Sequence, residues 1–162
     1  MKISRILIAI DDSKYSEHAA EYGFELAGFY KADVGLVNTV EPIIPTSVGT
    51  TDMISPFDAN LMNEAEIIKV QKEASENIIQ RIVKTYGGDL NITHFTEYGS
   101  TADSILSCAA EFSADIIVVG THSRHGLDRL LMGSVAEHVV RHSPIPVLVV
   151  PFPESESPHK SA

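Results

Sequence analysis

The feature that most constrains this chain is the stretch 116–151, IIVVGTHSRHGLDRLLMGSVAEHVVRHSPIPVLVVP. Residues 116–119 are an unbroken apolar run closed by Gly120, the pattern of a strand buried on both faces of a parallel sheet. The chain then turns small and basic through Gly120, Thr121, His122, Ser123, Arg124, His125 and Gly126. Gly133 and Ser134 come next, and residues 135–142 show helical spacing, so Gly133 and Ser134 open a helix. A helix start leaves N–H groups unpaired at the positive end of the macrodipole, and a glycine there lets an anion approach the backbone; the geometry suits phosphate. A plain turn with a serine N-cap is the other reading. The convergence of two glycines, Arg124, Arg129 and a serine after a buried strand favours the anion.

The rest of the chain alternates strand and helix. Residues 3–10 (ISRILIAI) read as a buried central strand ending at Asp11, Asp12 and Ser13, and doubly wound sheets place their ligand groups at such strand ends. Ser13 or Ser16 can cap a helix running to about Tyr30, with Ala19, Tyr22, Leu26, Ala27 and Tyr30 on its apolar side. Asp12 is either a partner of that helix dipole or a ligand group. Residues 33–41 (DVGLVNTVE) form a second strand, and residues 42–56 shift to Pro, Ser, Thr and Gly without periodicity, a long loop of the kind that is a lid or disordered. Helical spacing through Ile67, Val70, Ala74, Ile78 and Ile82 marks residues 61–86, stopped by Gly87 and Gly88.

Residues 91–98 (NITHFTEY) have the β-branched, aromatic alternation of a half-exposed edge strand. Gly99, Ser100 and Thr101 open a third helix with Asp103 in its first turn and a stripe of Ile105, Leu106, Ala109 and Phe112. Cys108, the only cysteine, falls on this helix as a small core residue, and without a second cysteine no internal disulfide forms. The final helix, 134–142, stops at Ser143 and Pro144, and the last strand runs from Pro146 to Val150, with proline at its first position as an edge strand permits. His138 and His142 stand at i, i+4, the spacing of a zinc pair, but no third ligand follows at a fixed offset. His122 and His125 are either phosphate donors or solvated loop side chains.

With 162 residues, 44% of them hydrophobic, and a mean hydropathy near zero, the chain is expected to be one soluble α/β domain over residues 1–152 with a disordered tail at 153–162. A net charge of −10 argues against nucleic acid or an anionic membrane as a partner. A phosphate ligand therefore needs a local basic patch, which Arg124 and Arg129 supply. No signal-peptide core and no long apolar run is present, so a cytoplasmic location is expected.

The spacing Gly120-x-x-Ser123, nine residues, then Gly133-Ser134 resembles the G-x-x-G-x(9)-G-[ST] signature of the universal stress protein family, in its ATP-binding branch. Ser123 stands where the second glycine is expected. At a position of positive φ a serine costs on the order of 1 kcal/mol relative to glycine and narrows the approach to a phosphate, while adding a hydroxyl donor. The resemblance implies a single five-stranded parallel doubly wound sheet in the order 3-2-1-4-5 with helices on both faces, an adenine nucleotide alpha hydrolase-like or flavodoxin-like sandwich. The first and fourth strands are then neighbours whose chains leave in opposite directions, and a crevice opens where Asp11 and Gly120 meet.

The resemblance also implies a ligand set. Ile10 and Asp11 would lie near the ribose and base, and Asn38, Thr39 and Val40 would line the adenine pocket, with backbone groups of Thr39 reading the base edge. Gly120, Thr121, His122, Ser123, Arg124, Gly126, Arg129, Gly133, Ser134 and Val135 would surround the phosphates. A contact from the Gly99–Thr101 segment is a secondary reading. The ligand would be ATP, or ADP or AMP, with Mg2+ or Mn2+ and no metal held by the protein alone. A homodimer through the strand from Pro146 to Val150 and a protein client are implied as partners. The function that results is an ATP-binding stress-response or regulatory module, with no catalytic residue assigned. Two alternatives stand beside it: a scaffold without nucleotide, which Ser123 favours, and a slow ATPase assisted by His122, His125 or Asp11, since no Walker lysine occurs.

Overall fold

A computed structural model of the protein describes residues 2–41, 64–121 and 133–153. Among these residues five strands alternate with four helices: β1 (Arg5–Ala9), α1 (Lys14–Tyr30), β2 (Asp33–Val40), α2 (Glu64–Tyr86), β3 (Ile92–Tyr98), α3 (Thr101–Phe112), β4 (Ile116–Gly120), α4 (Ser134–His142) and β5 (Val147–Val150). The strands form one parallel sheet in the order β3-β2-β1-β4-β5, as the resemblance implied. β1 pairs on one side with β2, Ile8 opposite Leu36, and on the other with β4, Ile8 opposite Val118.

Alternation along β1 explains why its apolar run is unbroken. Ile6 and Ile8 face a layer built by α1 and α2, with Phe24 and Ile82 in it, whereas Leu7 faces a second layer with Ile105 of α3 and Val139 of α4. Both faces are covered, so successive side chains are all buried. Parallel strands need such crossovers, and the two layers supply them. At the opposite end of the sheet from the cavity described below, Asp115 ties the start of β1 to the start of β4. Its Oδ2 accepts from the Ser4 N–H at 2.7 Å, the Ser4 hydroxyl at 3.0 Å and the Arg5 N–H at 2.9 Å. The Ser4 and Arg5 hydrogen bonds hold its carboxyl below the usual carboxylate range, against an opposing push from burial.

The helical faces differ from the apolar stripes expected of them. In α1 the buried positions are Ser16, Ala19, Ala20, Gly23, Phe24 and Ala27, while Tyr22 and Tyr30 lie outside. In α2 the buried positions are Ser75, Ile79 and Ile82, and Val70 is exposed. Ser75 can be buried because its hydroxyl meets that of Thr96 on β3 at 3.1 Å. α2 ends as expected at the paired glycines, Gly88 taking the left-handed φ of +50° that ends a helix. Cys108 is buried in the α3–α4 layer, and burial, then the charges of Glu97 and Glu111, push its thiol up to about 12. A thiol so placed is a packing group and a poor nucleophile.

β3 and β5 are the two edge strands. Residues 42–56 and the tail from 154 lie outside the described residues.

Candidate functional site

Sequence places Asp11, Ser13 and Ser16 within one turn of each other, and the structure makes them a closed hydrogen-bonded unit. The Asp11 N–H donates to the Ser16 hydroxyl at 2.7 Å, the Ser13 N–H to Asp11 Oδ1 at 2.8 Å and the Ser16 N–H to the Ser13 hydroxyl at 3.2 Å. Ser13 is thus the N-cap of α1, and Ser16 is a buried acceptor rather than a cap. Asp11 sits at the end of β1 with one carboxylate oxygen in this turn and the other without a partner among the described residues.

Gly120 ends β4 directly against that turn. A Cβ added there would lie 3.0 Å from the Tyr15 carbonyl oxygen, so the close approach of β4 to the first turn of α1 depends on glycine. Thr121 follows with two tethers, its N–H donating to the Val150 carbonyl at 3.2 Å and its carbonyl accepting from the Gly133 N–H at 2.6 Å. The second of these brings the start of α4 back to the end of β4. Gly133, not Ser134, is the N-cap of α4, so the serine-cap reading of this turn is corrected. With φ −52° and ψ 149°, Gly133 has backbone angles that any residue adopts, and its lack of a side chain leaves the helix start uncapped. The N–H groups of Ser134, Val135 and Ala136 have no acceptor among the described residues.

Between these turns lies a cavity of about 440 Å3. Of the expected site residues, Ile10, Asp11, Asn38, Thr39, Val40, Gly120, Thr121, Gly133 and Val135 line it together. The structure therefore assembles the ends of β1, β2 and β4 and the start of α4 around one space, at the point where neighbouring strands send their chains to opposite faces. Ser134 is exposed and does not line the cavity. His122, Ser123, Arg124, Gly126 and Arg129 lie outside the described residues. Asn38 lines the cavity, but its amide is engaged elsewhere: Nδ2 donates to the Ile10 carbonyl at 2.8 Å, and the residue is buried. Together with the Ile10 N–H donating to the Val37 carbonyl at 2.8 Å, this clamps β1 to β2 just before Asp11.

Three polar lining residues escaped the sequence reading: Glu41, Gln71 and Ser75. The rule that marked Asp11 and Asp12, carboxylates at the end of a buried strand, before the resemblance chose Asp11, applies equally to Glu41 at the end of β2. Gln71 and Ser75 carry no such signal, because only the packing of α2 on the sheet brings them there. Thr101, at the first position of α3, also lines the cavity. The described walls hold two carboxylates, Asp11 and Glu41, and no lysine or arginine. At the α4 end the N–H groups without an acceptor among the described residues supply the opposite polarity.

The histidine pair of α4 lies away from this cavity. His138 Nε2 is 3.3 Å from Asp103 Oδ1, His142 Nδ1 meets the His138 carbonyl at 2.9 Å, and the two rings stand 4.2 Å apart. Among the described residues no group of three potential ligands could hold a metal ion, nor is any helix long and apolar enough to cross a membrane.

Residues 2–151 match the model of the universal stress protein family. The chain is 30% identical over 152 residues to the universal stress protein MJ0531 of Methanocaldococcus jannaschii, covering 94% of this chain and 84% of that protein. Its fold superposes on that of the universal stress protein UspA from Lactobacillus plantarum with a TM-score of 0.74 at 18% identity, over 93% of this chain and 99% of that one. A universal stress protein from Archaeoglobus fulgidus, solved in complex with dAMP, superposes with a TM-score of 0.58 at 21% identity, over 92% and 98% of the two chains.

Proposed function

The chain belongs to the universal stress protein family, and from that premise we propose that it is a stress-response module that binds an adenine nucleotide in the cavity at the ends of β1, β2 and β4. The observation that carries the reading is the polarity of that cavity. One end is the uncapped start of α4, with three N–H groups that have no acceptor among the described residues, and a phosphate satisfies such groups and the helix dipole together. The other end is lined by Thr39 and Val40 of β2 and by Ala74 and Ile78 of α2, whose apolar atoms suit the faces of a purine. Asp11 stands between, its free carboxylate oxygen placed to accept from ribose hydroxyls. The dAMP complex of the Archaeoglobus relative supports an adenine ligand.

ATP is the form proposed, with ADP and AMP as shorter versions of the same ligand. Mg2+ or Mn2+ would arrive on the phosphates, as hard divalent ions commonly do, keeping several waters of their own. Arg124 and Arg129 are proposed to add positive charge around the phosphates. Turnover is expected below about 1 per second, against a median enzyme near 10 per second. The module is proposed to pair with a second copy through β5, whose VLVV run leaves an apolar edge, and to pass its nucleotide state to a client protein in the cytoplasm.

Mass spectrometry of ligand released from freshly purified protein, followed by calorimetric titration with ATP, tests the assignment. Co-purified adenine nucleotide or saturable ATP binding is expected; the absence of both, at ATP up to millimolar, overturns it. Sedimentation at micromolar protein tests the pairing, and a monomer with nucleotide present removes that part of the proposal.

A further inference from the structure

We propose that Glu41 selects the base, favouring a purine with an amino group at position 6 over one with a carbonyl there; the inference rests on the adenine-nucleotide reading of the cavity. Glu41 follows Thr39 and Val40 directly at the end of β2 and lines the same space. It is held from both layers of the fold. Its Oε1 accepts from the hydroxyl of Thr101, at the first position of α3, at 3.0 Å. Its main-chain carbonyl accepts from Nε2 of Gln71, on α2, at 3.4 Å. A strand-end glutamate on its own samples many rotamers; the Thr101 bond restrains this side chain, and the Gln71 bond holds its backbone where the two helices flank the cavity. Its second carboxylate oxygen has no partner among the described residues.

The chemistry of that oxygen decides what it tolerates. An ionised carboxylate only accepts hydrogen bonds. Adenine presents a donor at position 6, whereas guanine presents an acceptor there, as hypoxanthine's 6-carbonyl also does. Set against an acceptor, a 6-carbonyl meets repulsion where adenine's amino group makes a hydrogen bond, and sites built on a specific donor–acceptor match reject the mismatched analogue far better than apolar pockets reject a size change. Orientation follows from the same polarity. The two carboxylates of the described walls, Asp11 and Glu41, repel a phosphate, and the α4 start attracts one, so the base is turned towards the Glu41 end.

Calorimetric titration of ATP and of inosine triphosphate into the full chain and into Glu41→Gln and Thr101→Val tests the inference. Wild type is expected to bind ATP at least about tenfold more tightly than inosine triphosphate. The Gln amide both donates and accepts, so Glu41→Gln should bring the two affinities within about threefold, mainly by strengthening the inosine complex. Thr101→Val unfastens the carboxylate and should fall between. Glu41 is exposed, and circular dichroism confirms that each variant folds. A preference for ATP that is unchanged in Glu41→Gln, or no preference in wild type, overturns the role of Glu41 and leaves nucleotide binding standing. Wild type that binds neither nucleotide overturns both.

Discussion

Two helix starts border the cavity, and they solve the same local problem in opposite ways. At the start of α1, Asp11, Ser13 and Ser16 answer one another's polar groups, and the turn closes on itself. At the start of α4 the cap is a glycine, its N–H is drawn back to Thr121, and the next three N–H groups find no acceptor among the described residues. Unmet donors at a helix start are a standing cost in stability. They are also a ready site for an anion. The contrast teaches that the α1 turn holds geometry while the α4 turn keeps donors available, and the two can be perturbed separately.

The largest effect is expected from giving α4 the cap it lacks. In Gly133→Asp the carboxylate would accept from the Val135 and Ala136 N–H groups, as an N-cap aspartate does, and the backbone angles of Gly133 accommodate it. Nucleotide phosphate would then meet a negative charge and lose one or more charge-assisted bonds of about 1.5–3 kcal/mol each, so affinity should fall about a hundredfold. Stability should hold or rise by a few tenths of a kcal/mol. Calorimetry together with a thermal melt reads both at once. Undiminished ATP binding in a folded variant would place the phosphates elsewhere and erase the contrast between the turns.

Breaking the closed turn should act mainly on stability. Ser16 is buried and receives the Asp11 N–H, so Ser16→Ala leaves a part-buried donor without its acceptor, a loss of about 1 kcal/mol in urea unfolding. Because Asp11 is displaced with it, ATP affinity should also fall, by a smaller factor than in Gly133→Asp. A change within about 0.5 kcal/mol would mean that water replaces the hydroxyl and that the turn does not depend on its own bonds.

How far this contrast could be read from residues alone differs between its halves. The central strands were legible because a strand buried on both faces must be apolar through its middle, as β1 and β4 are, and β3 was legible from its half-exposed alternation, while the order of the sheet followed from the family resemblance rather than from any pattern. The helix faces were less legible. Apolar spacing put Tyr22 and Tyr30 on the inner face of α1, yet α1 approaches the sheet through Gly23, where an added Cβ would lie 2.6 Å from Ile8 Cδ1, and a glycine contributes nothing to an apolar count. Ser75 was hidden for a similar reason: its burial depends on a partner, Thr96, on another element. Within the site, Asp11 and Gly120 were legible as strand ends and Gly133 as a helix start, whereas Thr39 came from the family resemblance alone. Gln71 was not, since a glutamine on a charged helix looks like solvated surface until α2 is packed against β2.

The smallest effects come from a matched pair of serines and give the sharpest test of the comparison. Ser13 and Ser134 both stand at helix starts and look equivalent in sequence. The structure makes Ser13 a cap that accepts the Ser16 N–H, whereas Ser134 is already the first residue of α4, exposed, with the cap position held by Gly133. Removing a serine cap costs typically about 1 kcal/mol, so Ser13→Ala should lower stability by that amount. Ser134→Ala removes no cap and replaces serine with the best helix former, and its effect should stay within about 0.5 kcal/mol. ATP affinity separates them further, because the Ser134 N–H survives the substitution and its contribution to the phosphate site should be unchanged within about threefold unless the hydroxyl itself binds. Equal losses of stability in the two variants would show that Ser134 caps α4 after all. The start of α4 would then be closed like that of α1, and its donors would no longer be free to hold an anion.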